Sequence, residues 1–418
     1  MSRTSTFAYA GLLALPLLAA PALAQESWKI GALYPLTGSL AVLGNENLQG
    51  AQIAVDVANE QGGIAGRKVE LVTGDASTPD KAQSEAERLI SVGGVKVITG
   101  TYSSGLSYAS SQVAERNGAL YWETGGIADR LTQRGFKSFF RVVFTATSNG
   151  ELAATISKDI IAAKLGRAPK DLKLLVVHED SDYGTSVATA AQNKAKEHGF
   201  NVIDRLPYKG TSTDLAPLIL RMKATEPDIV IASSYANDAL LIQRQMKQLG
   251  VNVKAFIGTG GIYGLASFAE GLGGAVNGIF DTEGSANIGS QSLSAEAKAE
   301  GDDFRKRFQA RHGKAPSYVA MQGYVGTMVF LREVLAKAGT TDPAALRAAA
   351  LKIDIPAGRT ALGWGVQFAG EGHAMMGTNL RAFPVAQQWQ DGKLVVVAPD
   401  STKTGEAALV PLPGWDKR

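Results

Sequence analysis

The sequence predicts an α/β protein made of two similar modules, each built on a parallel-rich sheet. Three observations carry that expectation. From Trp28 onward, short β-branched runs alternate with longer amphipathic ones, the pattern of strands crossing over through helices. The alternation runs through one block and restarts in a second. Finally, the chain has 418 residues, more than one hydrophobic core usually serves, so two domains are expected.

The N-terminus reads as a leader, ahead of the fold. Arg3 is the only charged side chain before Glu26, residues 7–20 are an apolar run, and Ala22-Leu23-Ala24 supplies small residues for cleavage. A signal peptide over residues 1–24, cut after Ala24 to leave Gln25 first, is the expectation. The run is shorter than the roughly 20 residues a membrane-spanning helix needs. With no cysteine to acylate, no lipid anchor is expected either, and the processed chain is expected to be soluble.

In the first block, strands are predicted over residues 29–33, 68–73, 95–99 and 120–122. A helix over residues 45–61 places Leu48, Ala51, Val55 and Ala58 on one face and stops at Gly62-Gly63, a frequent helix C-terminus. Thr78-Pro79 opens the next helix in the favoured order, cap and then proline. The second block repeats the scheme, with strands over 172–177, 201–206, 228–232 and 253–257 and helices over 184–198, 214–225 and 237–249. Two long helices follow, over 295–311 and 322–338. Residues 383–397 alternate like a hairpin about Asp391-Gly392.

Composition narrows the function classes. Without cysteine the fold has no disulfide, thiolate metal site or cysteine nucleophile. With 42 basic and 39 acidic residues the net charge is +3. No basic stripe interrupts the mixture, which argues against a nucleic-acid partner.

Four stretches, taken in order, resemble the type I periplasmic binding proteins of the leucine/isoleucine/valine-binding group: IGALYPLTG from Ile30, the region of GGIAGRKVELVTGD ending at Asp75, residues 100–131, and VHEDSDYG from Val177. QWQDGKLVVVAP from Gln388 fits as well, so the resemblance spans essentially all of the chain after the leader. It implies two Rossmann-like lobes joined by a three-strand hinge, with residues 25–145 and 284–357 in one lobe and 146–283 and 358–418 in the other. It also implies a periplasmic protein that closes on a small-molecule solute and delivers it to the membrane permease of an ABC importer. A monomer without cofactor is expected.

The resemblance directs attention to one cleft. Thr101-Tyr102-Ser103-Ser104 follows a strand and opens a helix, whose free N–H groups and positive dipole end suit a carboxylate. Ser103 and Ser104 are equally fit to be N-cap residues; in the family the serine matching Ser104 holds the ligand carboxylate. The loop Glu123-Thr124-Gly125-Gly126-Ile127 matches one that gives amino-acid binders a carbonyl, here Gly125, and a threonine hydroxyl, here replaced by Ile127. Where those binders pair a glutamate with the ligand ammonium, this chain has Gly260. An ammonium buried without a counter-charge costs several kcal/mol, so either another acid such as Glu123 supplies it or the ligand has none. Leu43 stands at an aromatic wall position, while Tyr183 and Tyr235 match cleft tyrosines and Tyr102 offers a third ring. These residues favour an organic acid with an apolar or aromatic body, with a branched-chain or other amino acid or amide as the alternative; a ligand sensor shares the fold.

An enzyme is not expected. GTGGIYG from Gly258 follows a strand but lacks the spacing of a dinucleotide loop, and Ser107 in GLSYA falls inside a helix rather than on a strained turn. His178, His198, His312 and His373 are scattered without metal-ligand spacing, so neither catalytic residues nor a metal site are predicted. His178, at a strand end, is expected at the surface or hinge.

Overall fold

A computed structural model describes residues 26–418; the predicted signal peptide, its cleavage site and Gln25 lie outside the described residues. The first sheet contains β1 (Trp28–Tyr34), β2 (Val69–Asp75), β3 (Val97–Gly100), β4 (Leu120–Glu123) and β5 (Phe139–Arg141), in the order β2-β1-β3-β4-β5. All its neighbours are parallel. The second holds β6 (Lys173–Glu179), β7 (Asn201–Tyr208), β8 (Ile229–Ser233), β9 (Ala255–Thr259), β10 (Phe280–Glu283), β11 (Val385–Gln390) and β12 (Lys393–Ala398), in the order β12-β11-β10-β9-β8-β6-β7. Only β11 and β12 enter antiparallel. Strands such as IVIAS in β8 are buried along their whole length, as parallel strands covered on both faces must be.

Helices cover these sheets: α1 (Ala41–Glu60), α2 (Pro79–Ser91), α3 (Ser104–Arg116), α4 (Ala146–Ile156), the short α5 (Ala163–Leu165), α6 (Asp182–Glu197), α7 (Ala216–Thr225), α8 (Ala236–Gln248), α9 (Ala266–Leu272), α10 (Ala295–His312), α11 (Tyr318–Val329), the short α12 (Ala336–Ala338) and α13 (Pro343–Ala350). The Thr78 hydroxyl accepts from Lys81 N at 3.3 Å and Pro79 takes the first helical position, as its sequence requires. Asp391 and Gly392 both adopt positive φ, 49° and 71°, the left-handed pair that matches the twist of a two-residue hairpin.

Two helix starts fall a full turn earlier than predicted. α1 begins at Ala41 because Asn45 is not its cap: its amide donates back to Ala41 O at 2.7 Å and to Leu36 O at 3.2 Å. α11 begins at Tyr318, with the Ser317 hydroxyl accepting from Ala320 N, and continues through a π-helical turn over Phe330–Leu335 into α12. β5 and β10, only three and four residues long, are too short to show a period.

After β5 the chain leaves the first sheet, builds the second as far as β10, and returns to lay α11 along α1. Beyond residue 358 part of the chain still packs against the first sheet. Phe368 packs on Trp122 and Phe140 at centroid distances of 5.3 and 5.2 Å, and Arg141 N donates to Gly377 O at 2.8 Å. Residues 366–379 therefore cover the first sheet, held by the buried Trp122 and Arg141, before the chain enters β11.

Candidate functional site

Side chains from both lobes converge where the C-terminal ends of the parallel strands face each other, the usual position of an α/β crevice. From the first lobe come Leu43 on α1, and Tyr102, Ser103 and Ser104 at the junction of β3 and α3. The second contributes Tyr183, Tyr235, Gly260 and Gly261. The Tyr235 ring meets Tyr102 edge to face at 6.5 Å and Tyr183 at 5.2 Å, so one tyrosine row bridges the two lobes. A Cβ on Gly261 would lie 3.2 Å from the Tyr102 hydroxyl, 3.6 Å from Leu43 Cδ2 and 2.8 Å from Val319 Cγ2. The lobes are closed, and Leu43, Tyr102 and Tyr183 are buried.

Outside the tyrosines, Arg130 Nη1 reaches Asp182 Oδ1 at 2.5 Å, linking the first-lobe loop to the start of α6. The guanidinium also lies 4.0 Å above the Tyr108 ring.

The carboxylate-binding geometry expected at α3 has two parts. Ser103 is the N-cap residue but makes no side-chain cap bond, and the first turn carries no acid. Its hydroxyl, with that of Ser181 from the other lobe, faces the Tyr235 phenol. The N–H groups of that turn thus keep the anion-attracting character of a helix start. Ser104 does something the sequence did not reveal. Its buried Oγ accepts from both Ile127 N and Ala128 N at 3.1 Å, locking the 123–128 loop onto the helix start while its own proton remains free to donate.

The same loop turns Glu123 inward. Its Oε1 accepts from Gly125 N at 2.7 Å and Gly126 N at 2.5 Å, and burial pushes the carboxyl up to about 8 against these hydrogen bonds, that of Ser107 and the charge of Arg141. Glu123 is therefore engaged with its own loop. Gly125 and Gly126 are required by close approach: a Cβ would stand 2.6 Å from Thr101 O at the first and 2.6 Å from Ser107 Oγ at the second. Ile127 is buried, and its carbonyl accepts from Arg141 Nη1 at 3.0 Å. That guanidinium is fully buried among Ala128 O, Thr132 and Thr378, fixing the loop from behind.

Gly260 has φ +113°, and a Cβ there would lie 2.5 Å from the Tyr183 hydroxyl and 2.9 Å from Ser234 O. Tyr183 is held in that place by donating to Thr259 O at 2.6 Å. A larger residue at 260 is excluded while Tyr183 keeps this position.

Three residues that sequence reasoning missed complete the cleft floor. Glu283, at the end of β10, is buried, receives Asn149 Nδ2 at 3.3 Å, and faces the Gly260 backbone. Its charge acts on Tyr102, Tyr183 and Tyr318. Tyr318, at the start of α11, lies face to face with Phe144 at 6.3 Å, and its buried hydroxyl has no hydrogen-bond partner among the described residues. Gly284 makes room for that ring, since a Cβ would sit 1.9 Å from Tyr318 Cε2. An acid two places after Asp281, in the short run FDTE, was the only local signal, and it is a weak one.

His178 is buried within β6 rather than placed at the surface or hinge, with Nδ1 2.8 Å from Glu179 O. Among the described residues there is no group of three or more His, Asp or Glu side chains arranged to hold a metal, and no helix is long and apolar enough to cross a membrane.

Comparison with known proteins shows the family and the fold. A family model described as "Periplasmic binding protein" matches residues 27–393. The Leu/Ile/Val-binding protein homolog 7 of Brucella suis is 38% identical over 395 residues, covering 94% of this chain and 96% of that protein. Homolog 8 of Brucella abortus is 38% identical over 375 residues, 89% of this chain and 91% of that protein. Among solved structures, a leucine-binding protein from Thermotoga maritima superposes with a TM-score of 0.75 at 24% identity, covering 88% of this chain and 97% of that one. A branched-chain amino acid transporter substrate-binding protein from Streptococcus pneumoniae, solved with isoleucine, gives 0.74 at 22% identity, with 89% and 100% covered.

Proposed function

This chain belongs to the periplasmic binding protein family, and from that premise we propose that it captures an amino acid with an apolar or aromatic side chain between its lobes. As a substrate-binding protein of the branched-chain amino acid ABC transporter type, it takes a small-molecule ligand and serves a membrane permease in the periplasm. The observation that carries the reading is the tyrosine row across the closed cleft beside the uncapped start of α3. Rings offer apolar area and the helix start attracts a carboxylate.

The sequence favours an organic acid with an apolar or aromatic body, because Ile127 and Gly260 stand where amino-acid binders have polar partners. The names of the Brucella relatives favour the amino acid instead. In this reading Leu43, Tyr102, Tyr183 and Tyr235 enclose the side chain. Ser103, Ser104 and the loop of Glu123, Gly125, Gly126 and Ile127 form the carboxylate end, and Gly260 borders the opposite end. The lobes hinge at residues 145–146, 283–284 and the entry to β11, and the protein acts as a monomer after export and cleavage.

The test is a thermal-shift screen of the ligand-free protein against amino acids, their amides and the matching carboxylic acids. A solute at ~100 times its dissociation constant stabilises by about 2.7 kcal/mol. Recovery of the solute chemically unchanged is expected of a binding protein, and turnover would refute the reading.

A further inference from the structure

Glu283 is a buried carboxyl in a solute cleft with no cation set against it; among the described residues its charged neighbour is Asp281, another acid. Such an arrangement is unfavourable unless something positive is brought in, because a buried charge without a partner costs several kcal/mol. Both acids project from the same face of β10, two residues apart. Asp281 has its own partner, Gln387 Nε2 at 2.9 Å. Glu283 has the Gly260 backbone and Asn149 Nδ2 as polar neighbours but no cation, and the Asn149 Oδ1 is itself unpartnered and buried. The Tyr318 hydroxyl is a second buried polar atom without a partner, under the field of the same carboxyl. Beside them, Gly260 packs directly against the Tyr183 hydroxyl and Ser234 O, with no room for a side chain of its own.

We infer that Glu283, with Asn149 and the Tyr318 hydroxyl beside it, receives the ammonium group of the bound amino acid from the hinge side of the cleft. This rests on the amino-acid reading above and deepens it. The counter-charge missing at Gly260 is supplied by the neighbouring strand. The ligand ammonium has three donors, matched here by the carboxylate, the amide oxygen of Asn149 and the phenol oxygen of Tyr318.

The experiment titrates the amino acid that gives the largest thermal shift, and the carboxylic acid identical but for the missing amine, into the wild type, Glu283→Gln and Tyr318→Phe. Glu283→Gln keeps the shape and removes the charge. It is expected to weaken the amino acid about a hundredfold or more, as loss of one partner of a buried charge pair does, while leaving the desamino acid within a few-fold. Tyr318→Phe, which removes one oxygen, is expected to weaken the amino acid about tenfold and guards against a Glu283→Gln protein that fails to fold. Unchanged amino-acid affinity in Glu283→Gln, or in Tyr318→Phe should the first not fold, overturns the inference. If the wild type binds desamino acids as tightly as amino acids, the ammonium site falls while a carboxylate-binding protein stands. If neither class binds, the functional reading falls with it.

Discussion

Replacing Ser104 with alanine tests the carboxylate end of the cleft. Its Oγ is buried and accepts two backbone N–H groups, Ile127 and Ala128, both at 3.1 Å. Alanine leaves both donors in a space too enclosed for ready hydration. Each unsatisfied buried amide costs about 1–3 kcal/mol, so the free protein should lose about 2–6 kcal/mol, toward the lower end if the loop relaxes. The ligand loses a hydroxyl donor as well, which should weaken a carboxylate solute about tenfold more than the same solute as its amide. Chemical denaturation of the ligand-free protein measures the first effect, and calorimetric titration of acid and amide forms the second. A Ser104→Ala protein with unchanged stability would refute the loop-locking geometry. Equal losses for acid and amide would refute the carboxylate site at the start of α3.

Gly260→Ala places a methyl 2.5 Å from the Tyr183 hydroxyl at φ +113°; backbone strain of that kind costs about 1–3 kcal/mol, and a lowered denaturation midpoint with weaker solute binding is expected. Arg130→Ala removes the ion pair to Asp182; because both partners are partly exposed, the loss should be under about 1 kcal/mol, seen in small-angle scattering as a modest shift toward open lobes and diminishing at high salt. Burial raises Glu123 and Asp281 to about 8 and Asp238 to about 7, so between pH 4 and these values the folded chain holds protons that the unfolded chain has released. Stability is then greatest in acid and falls as pH rises, by up to about 1.4 kcal/mol per pH unit for each group. His178, His198 and His312, lowered by burial, oppose this only below about pH 6.5. A denaturation midpoint that decreases from pH 6.5 to 8, with a shallower slope in Glu123→Gln, is therefore expected, and a midpoint rising over that range would contradict the assignment.

Much of the fold was written locally. The α/β alternation, the Thr78-Pro79 helix start and the Asp391-Gly392 turn depend on backbone preferences of a few adjacent residues, and those act before any tertiary contact exists. The sequence also pointed to Tyr102 and Ser103, which follow a strand at a helix start, whereas Tyr183 and Tyr235 were implied only by the family resemblance. Sequence could identify Ser104 and Glu123 as polar groups near the cleft, but not how they are used. Ser104 locks a loop 23 residues away, and Glu123 is spent on the N–H groups of its own turn. The packing of residues 366–379 on the first sheet was equally hidden, since it depends on Phe368 finding Trp122 across the fold. Glu283 and Tyr318 lie 35 positions apart in the chain, and only tertiary packing, which sets Gly284 against the Tyr318 ring, brings them near each other. Local sequence sets which groups are available near a strand end; long-range packing decides which of them are left unpaired, and it is the unpaired ones that have something to offer a solute.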